Sequence, residues 1–102
     1  MKDDLTHEFF LGFIKIHILH HAAEQPVYGL WLIEELGRHG YRLSPGTLYP
    51  LLHSLEKENY LKCQDRVIEG KIRKYYRTTA KGRKALSQAK DRIKELIAEV
   101  MS

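Results

Sequence analysis

Residues 43–61 read LSPGTLYPLLHSLEKENYL, with two prolines and a glycine crowded at the head of an otherwise regular helical pattern. Leu48, Leu51, Leu52 and Leu55 recur at three- and four-residue intervals, the spacing of one buried helix face. Ser44 suits the N-cap, where its hydroxyl is expected to accept from a free first-turn amide. Pro45 then falls at the first helical position, where its missing N–H costs nothing. Pro50 lies one turn further in and presses on the carbonyl of Gly46. With no side chain at Gly46, a slight kink is expected there, not a break. The opposite face carries Thr47, Tyr49, His53, Ser54 and Lys57: short polar groups, a phenol and bases. Its head is compact, rich in donors and open to close approach, and exposed amides there favour phosphate.

Outward from this helix, the chain divides into a few elements. From Leu5 to about Ala23, Leu5, Phe9, Phe10, Phe13, Ile14, Ile16, His17 and Leu19 predict a helix with a broad apolar stripe. Pro26 then disfavours helical geometry at Gln25. A second helix is expected over about Tyr28–His39, with Leu30, Ile33 and Leu36 inward and Gly40 as a left-handed C-terminal cap. Leu61–Ile68 alternates loosely and ends in a turn at Gly70, and Ile72–Thr78 reads as the returning strand. From Thr79 the pattern is helical to the end.

The composition is that of one globular domain: 102 residues, 43% hydrophobic and 29% charged. The apolar stretch FFLGFIKI is too short to span a bilayer. The acids near the N-terminus do not suit a signal peptide, so a cytoplasmic location is expected. The single cysteine, Cys63, excludes an internal disulfide and reads as a small core residue. The net charge of +4 is unevenly spread. Residues 62–84 hold nine bases and two acids, a local +7, which leaves −3 on the remainder. Such polarisation is the electrostatic footprint expected of a nucleic-acid binder, with a solvated basic face that has no partner as the alternative.

Helix, helix, polar-faced helix and basic hairpin, in that order, make a winged helix-turn-helix. The fold class is therefore mainly α with a small β-hairpin (α+β). The third helix would enter the major groove, and the hairpin RVIEGKIRKYY, with Arg66, Lys71, Arg73 and Lys74 near its tip, would lie along the phosphates. A winged helix that binds other proteins is the alternative, and the basic tip argues against it. The run from YGLWLIEEL through SPGTLYPLLHSLEKENYL to GKIRKYYRTTAKGRKAL resembles the PadR family of bacterial transcriptional regulators, over about residues 5–100. The match is to the short forms, which have a single C-terminal helix. That resemblance implies a homodimeric repressor of double-stranded operator DNA, released by a small-molecule effector. By position it assigns Ser44, Thr47 and Tyr49 to base reading and Lys71, Arg73 and Lys74 to the wing; His53 joins them on the same helix face. Some short relatives hold flat drugs against a tryptophan of the last helix. Here that helix has no aromatic residue, and Trp31 reads as core or interface.

The division expected is a DNA-binding domain over residues 1–79 and a dimerisation helix over 80–102. In the latter, Leu86, Ala89, Ile93, Leu96, Ile97 and Val100 form a stripe longer than the small body can cover. With Phe9 and Phe13 of the first helix, they are the candidate dimer interface. His17, His20 and His21 share a helix face, but with no acidic or cysteine partner near in sequence no metal site is assigned. No cofactor is expected, and no nucleophile–base pair or phosphate loop suggests an enzyme.

Overall fold

The computed structural model describes residues 5–102. Four helices and one antiparallel hairpin follow in order: α1 (Leu5–Glu24), α2 (Gly29–Arg38), α3 (Pro45–Lys57), β1 (Leu61–Ile68), β2 (Lys71–Thr78) and α4 (Ala80–Val100). The expected fold class stands, and the expected helix and strand limits hold to within a residue or so.

Three helices meet on a core of fully buried aliphatic side chains: Ile14 and Ile18 from α1, Leu32 and Leu36 from α2, Leu48 and Leu52 from α3. Each pair is spaced by four residues, so each helix offers one face. Leu30, expected among them, is instead 56% exposed. At 100° per residue it lies about 200° around α2 from Leu32, so both cannot face the core. Leu5 and Phe9 are also largely exposed, at 81% and 54%, and the buried part of α1 begins at Ile14.

The helix ends obey local chemistry. After α2, Tyr41 N–H bonds to Leu36 O at 2.9 Å and Gly40 N–H to Gly37 O at 3.0 Å, with Gly40 at φ +89°. After α3, Tyr60 N–H bonds to Leu55 O at 2.8 Å and Asn59 N–H to Glu56 O at 2.9 Å, with Asn59 at φ +68°. Both are Schellman endings, the second using asparagine where glycine is commoner. At the head of α3 the expected cap bond is not made. The Ser44 hydroxyl lies 3.4 Å from Thr47 Oγ1, and the amides of Thr47 and Leu48 bond to the Ser44 carbonyl instead. Pro45 occupies the first turn as expected, and α3 runs on unbroken through Pro50.

β1 and β2 pair from Leu61↔Thr78 out to Ile68↔Lys71. The turn between them is two residues long, Glu69 at φ +52° and Gly70 at φ +79°. Left-handed geometry at both positions matches the right-handed twist of the paired strands. The other edge of β2 is also used: Val27 exchanges two backbone hydrogen bonds with Tyr76, at 2.7 and 3.0 Å. The segment around Pro26, read from sequence only as a helix breaker, thus adds a single bridge to the outer edge of β2.

The junction between β2 and α4 fastens the molecule. Thr78 donates to the Leu19 carbonyl of α1 at 2.8 Å in a buried bond. Thr79 caps α4, accepting from Gly82 N–H at 3.0 Å, and donates to the Asn59 carbonyl at 2.6 Å. Gly82 packs directly on the Tyr60 carbonyl, and a Cβ there would also come within 2.6 Å of Thr78 Cγ2. Leu86 follows one turn later and is buried in the chain's own core. It is therefore covered without a second copy, whereas Ala89 and Ile93 are half-buried and Leu96, Ile97 and Val100 exposed.

Gly82→Ala should destabilise the fold by about 1–3 kcal/mol, because the Tyr60 backbone cannot yield as a flexible side chain would. Gly37→Ala, on open α2 surface, should instead stabilise by about 0.5–1 kcal/mol. Chemical denaturation of the two variants reads these opposite signs.

A second prediction concerns Tyr76, whose hydroxyl is buried without a hydrogen-bond partner. Burial, aided by Cys63 and Glu56, pushes its phenol from 10.0 up to about 12. The folded chain then keeps a proton that the unfolded chain releases as pH climbs through that window. This contribution to stability is full below pH 10 and declines between 10.0 and about 12. Tyr76→Phe should flatten the decline, read as the denaturation midpoint against pH, while leaving neutral-pH stability equal or higher.

Candidate nucleic-acid interface

The polar face of α3 is presented as the leucine stripe requires: with Leu48 and Leu52 sealed in the core, Thr47, Tyr49 and His53 face outward. Ser44 and Thr47 sit exposed at the head of the helix, their hydroxyls adjacent. Tyr49 is less free. Its ring lies on the start of α2, where a Cβ on Gly29 would collide with the hydroxyl and ring carbons. The glycine that opens α2 is therefore what lets the Tyr49 ring approach that helix so closely.

Tyr49 also lines a cleft of about 390 Å³ between the helices and the hairpin, shared with Tyr28, Lys71, Arg73 and Lys74. The structure thus brings Tyr49 together with all three wing bases assigned from sequence. Ser44, Thr47 and His53 stay outside that cleft, on the open face of α3.

The hairpin bases are held by aromatic rings. Arg73 lies over the Tyr28 ring at 4.2 Å, Arg66 lies over the Tyr75 ring at 4.5 Å, and the two rings meet edge to face at 5.3 Å. Hydrogen bonding to Tyr75, with Tyr28 alongside, raises the Arg73 guanidinium further above its already high range. Each ring attracts a cation through its negative face, so the ladder Arg66–Tyr75–Tyr28–Arg73 fixes two charges in place. Arg66 is expected at the wing tip from sequence, whereas the two rings that hold the arginines, Tyr28 and Tyr75, are not among the expected site residues. The available signal was their type: aromatics and arginines at alternate strand positions share a face. Lys74 pairs with Asp65 at 3.5 Å, but both are more than half exposed, so the pair is weak.

Not every base in the positive segment serves this surface. Lys81 donates to the Glu58 carbonyl at 2.8 Å and lies over the Tyr60 ring, while Arg83 donates to the Ala23 carbonyl at 2.7 Å. They complete the C-terminal ends of α3 and α1, where free carbonyls attract cations. The local +7 therefore overstates the charge available to a partner.

The histidines also find company the sequence did not suggest. Glu24 lies 3.6 Å from His20, and Glu35 of α2 lies 3.7 Å from His21 and 3.1 Å from His39. The expectation of no acidic partner is thus corrected. Glu24 was readable one turn after His20, whereas Glu35 needed the packing of α2 on α1. Burial, with the neighbouring histidines, holds the imidazoles of His17 and His21 below their ordinary value. Burial alone would raise the Glu35 carboxyl, but hydrogen bonds from Arg38 and His39 outweigh it and hold the group lower.

A three-helix core, an outward polar α3 and a twisted basic hairpin define a winged-helix regulator of transcription. Residues 18–88 match the transcriptional regulator PadR-like family, and the chain belongs to it. It is 50% identical over 94 residues to the transcriptional regulator Rv3488 of Mycobacterium tuberculosis, covering 92% of this chain and 88% of that protein. Solved structures agree. A PadR-like transcription factor of Bacteroides fragilis superposes with a TM-score of 0.85 at 29% identity, over 96% of each chain. A PadR family regulator of Eggerthella lenta superposes at 0.83 with 31% identity, over 94% of this chain and 85% of the other. Among the described residues, no helix is long and apolar enough to cross a membrane.

Proposed function

We propose that this PadR-family regulator binds double-stranded operator DNA as a homodimer and represses transcription until a small-molecule effector releases it. The observation that carries the DNA reading is the aromatic-clamped basic hairpin beside an outward polar helix. Arg66 and Arg73 are fixed on Tyr75 and Tyr28, so little side-chain freedom is lost when they meet phosphates. Lys71 and Lys74 add further charge, and contacts of this kind carry affinity without sequence information. Ser44, Thr47 and His53 take the base-reading role on the open face of α3. Tyr49, anchored on α2, sets the angle between that face and the wing and reaches DNA from the cleft.

The dimer reading rests on an apolar groove of about 470 Å³ between α1 and α4, lined by Phe9, Phe13, Ile16, Ile93, Ile97 and Val100. Leu96, Ile97 and Val100 are about half exposed or more in the single chain. A run of that kind is what a symmetric partner covers, with Ala89 at its inner end. Two copies joined there would offer two α3 helices to half-sites about 34 Å apart. In this reading residues 1–79 form the DNA-binding domain and 80–102 the dimerisation helix; residues 1–4 of the former lie outside the described residues. The effector, an apolar molecule, would enter the same α1–α4 groove and alter the spacing of the α3 helices.

Binding to duplex DNA from upstream of the chain's own coding region should be preferential over a scrambled duplex and should weaken steeply with salt. Lys71→Ala should weaken binding to both duplexes alike and make the salt slope shallower by about one, the share of a single phosphate partner. Thr47→Ala should cost about 1–3 kcal/mol on the operator and relax preference there. Equal losses on both duplexes for Thr47→Ala would remove the recognition-helix assignment. No binding even at low salt would favour the protein-interaction module. Fluorescence anisotropy on labelled duplexes reads all of these.

The unaltered chain should sediment at twice its 12.0 kDa mass. Ile97→Glu, which places a charge in the middle of the apolar run, should give a folded monomer. A monomeric unaltered chain at micromolar concentration would remove the dimer.

A further inference from the structure

Where α1 passes α2, His21 is brought to Glu35 and His39, which stand one helical turn apart, and three potential ligand atoms converge. His21 Nε2 faces the Glu35 carboxylate at 3.7 Å, and His39 Nε2 faces the same Glu35 oxygen at 3.1 Å. The ligand atoms of all three residues lie within 4.8 Å of one another. His21 and Glu35 are largely buried, at 13% and 14% exposure, whereas His39 is half exposed, which leaves an approach from solvent. The His21 Nε2 atom is itself shielded from solvent and has no hydrogen-bond partner. An orphaned ring nitrogen aimed at a carboxylate calls for an explanation, because buried polar atoms are seldom left unpaired.

We propose that His21, Glu35 and His39 bind a divalent transition-metal ion, with Zn²⁺ the best fit. Two imidazole nitrogens and one carboxylate oxygen are a donor set that zinc accepts, and a water can hold the fourth position. Metal–ligand bonds of 2.0–2.2 Å in a tetrahedron put neighbouring ligand atoms about 3.3 Å apart. The two measured separations, 3.7 and 3.1 Å, bracket that value. With the third pair, His21 and His39, also within 4.8 Å, the three donors stand near the spacing an ion needs.

The surroundings already orient the ligands. Arg38 takes the other oxygen of Glu35, so Oε2 is the atom presented to the histidines. Partners that hold a ligand in this way are a regular part of metal centres. His17 stacks on His39 at 5.5 Å and on His21 at 6.2 Å, limiting how far either ring can turn. A bound ion would tie the C-terminal half of α1 to α2 and its C-cap, stiffening the support against which α3 packs.

The test uses the full chain, stripped with chelator and titrated with Zn²⁺ alone. Calorimetry should show one ion per chain with micromolar or tighter affinity, and the ion should raise the melting temperature by linkage. Trp31, the single tryptophan, meets His21 edge to face at 5.4 Å, so its fluorescence should change on the same titration. Glu35→Gln and His39→Ala should each weaken binding about tenfold or more and remove the melting shift. Both replace groups outside the apolar core, and circular dichroism checks that the variants fold. His20, His21 and Glu24 form a rival cluster. If Glu24→Gln abolished binding while Glu35→Gln spared it, the assignment would be overturned. Failure to bind, or equal affinity in all variants, would overturn it as well. None of these readouts requires DNA, so the outcome stands apart from the DNA-binding reading.

Discussion

The structure depends on how residues 76–79 are shared. Tyr76 pairs with Cys63 across the hairpin and with Val27 on its other edge, so one residue joins wing and helical body. Thr78 bonds to α1, Thr79 caps α4 while bonding back to the end of α3, and Gly82 admits the Tyr60 carbonyl. Within one short segment the hairpin, α1, α3 and α4 are fastened together. In a chain this small, with a limited apolar core, such directed contacts carry a large part of the specificity of the fold.

From that fastening the exposed surfaces follow in order. The hairpin is fixed at its base, so its bases need only local support at the tip, and the tyrosine ladder supplies it. α3 is pinned by Leu48 and Leu52, which turns its polar face outward. α4 is held at Leu86 and leaves its distal apolar run uncovered beside Phe9 and Phe13. The two ends of the molecule thereby take different characters: cationic at the wing, apolar along the far half of α4.

Much of this was legible from residue types alone. The leucine spacing of α3, Gly40 after α2 and the Glu69–Gly70 turn are local signals, because each reports on neighbours within a few residues. The errors have equally definite causes. Leu30 is expected inward but lies exposed, because hydrophobicity does not say which of two opposed leucines wins the core. Ser44 leaves its cap bond unmade because its own carbonyl accepts from the Thr47 amide. Leu86 was grouped with the interface because a periodic stripe does not mark where the chain's own body stops covering it.

The sequence by itself determined the order and type of the elements, the resemblance to a known family, and the polarity of each helix face. Those are short-range properties, fixed by backbone preferences and the period of apolar residues. Tertiary structure alone decided that Val27 bridges to Tyr76, that Lys81 and Arg83 serve helix ends, that Arg73 lies over Tyr28, and that Glu35 meets His21. Each of these joins residues separated by up to 60 positions, and the packing of helix on helix and hairpin on helix sets those distances.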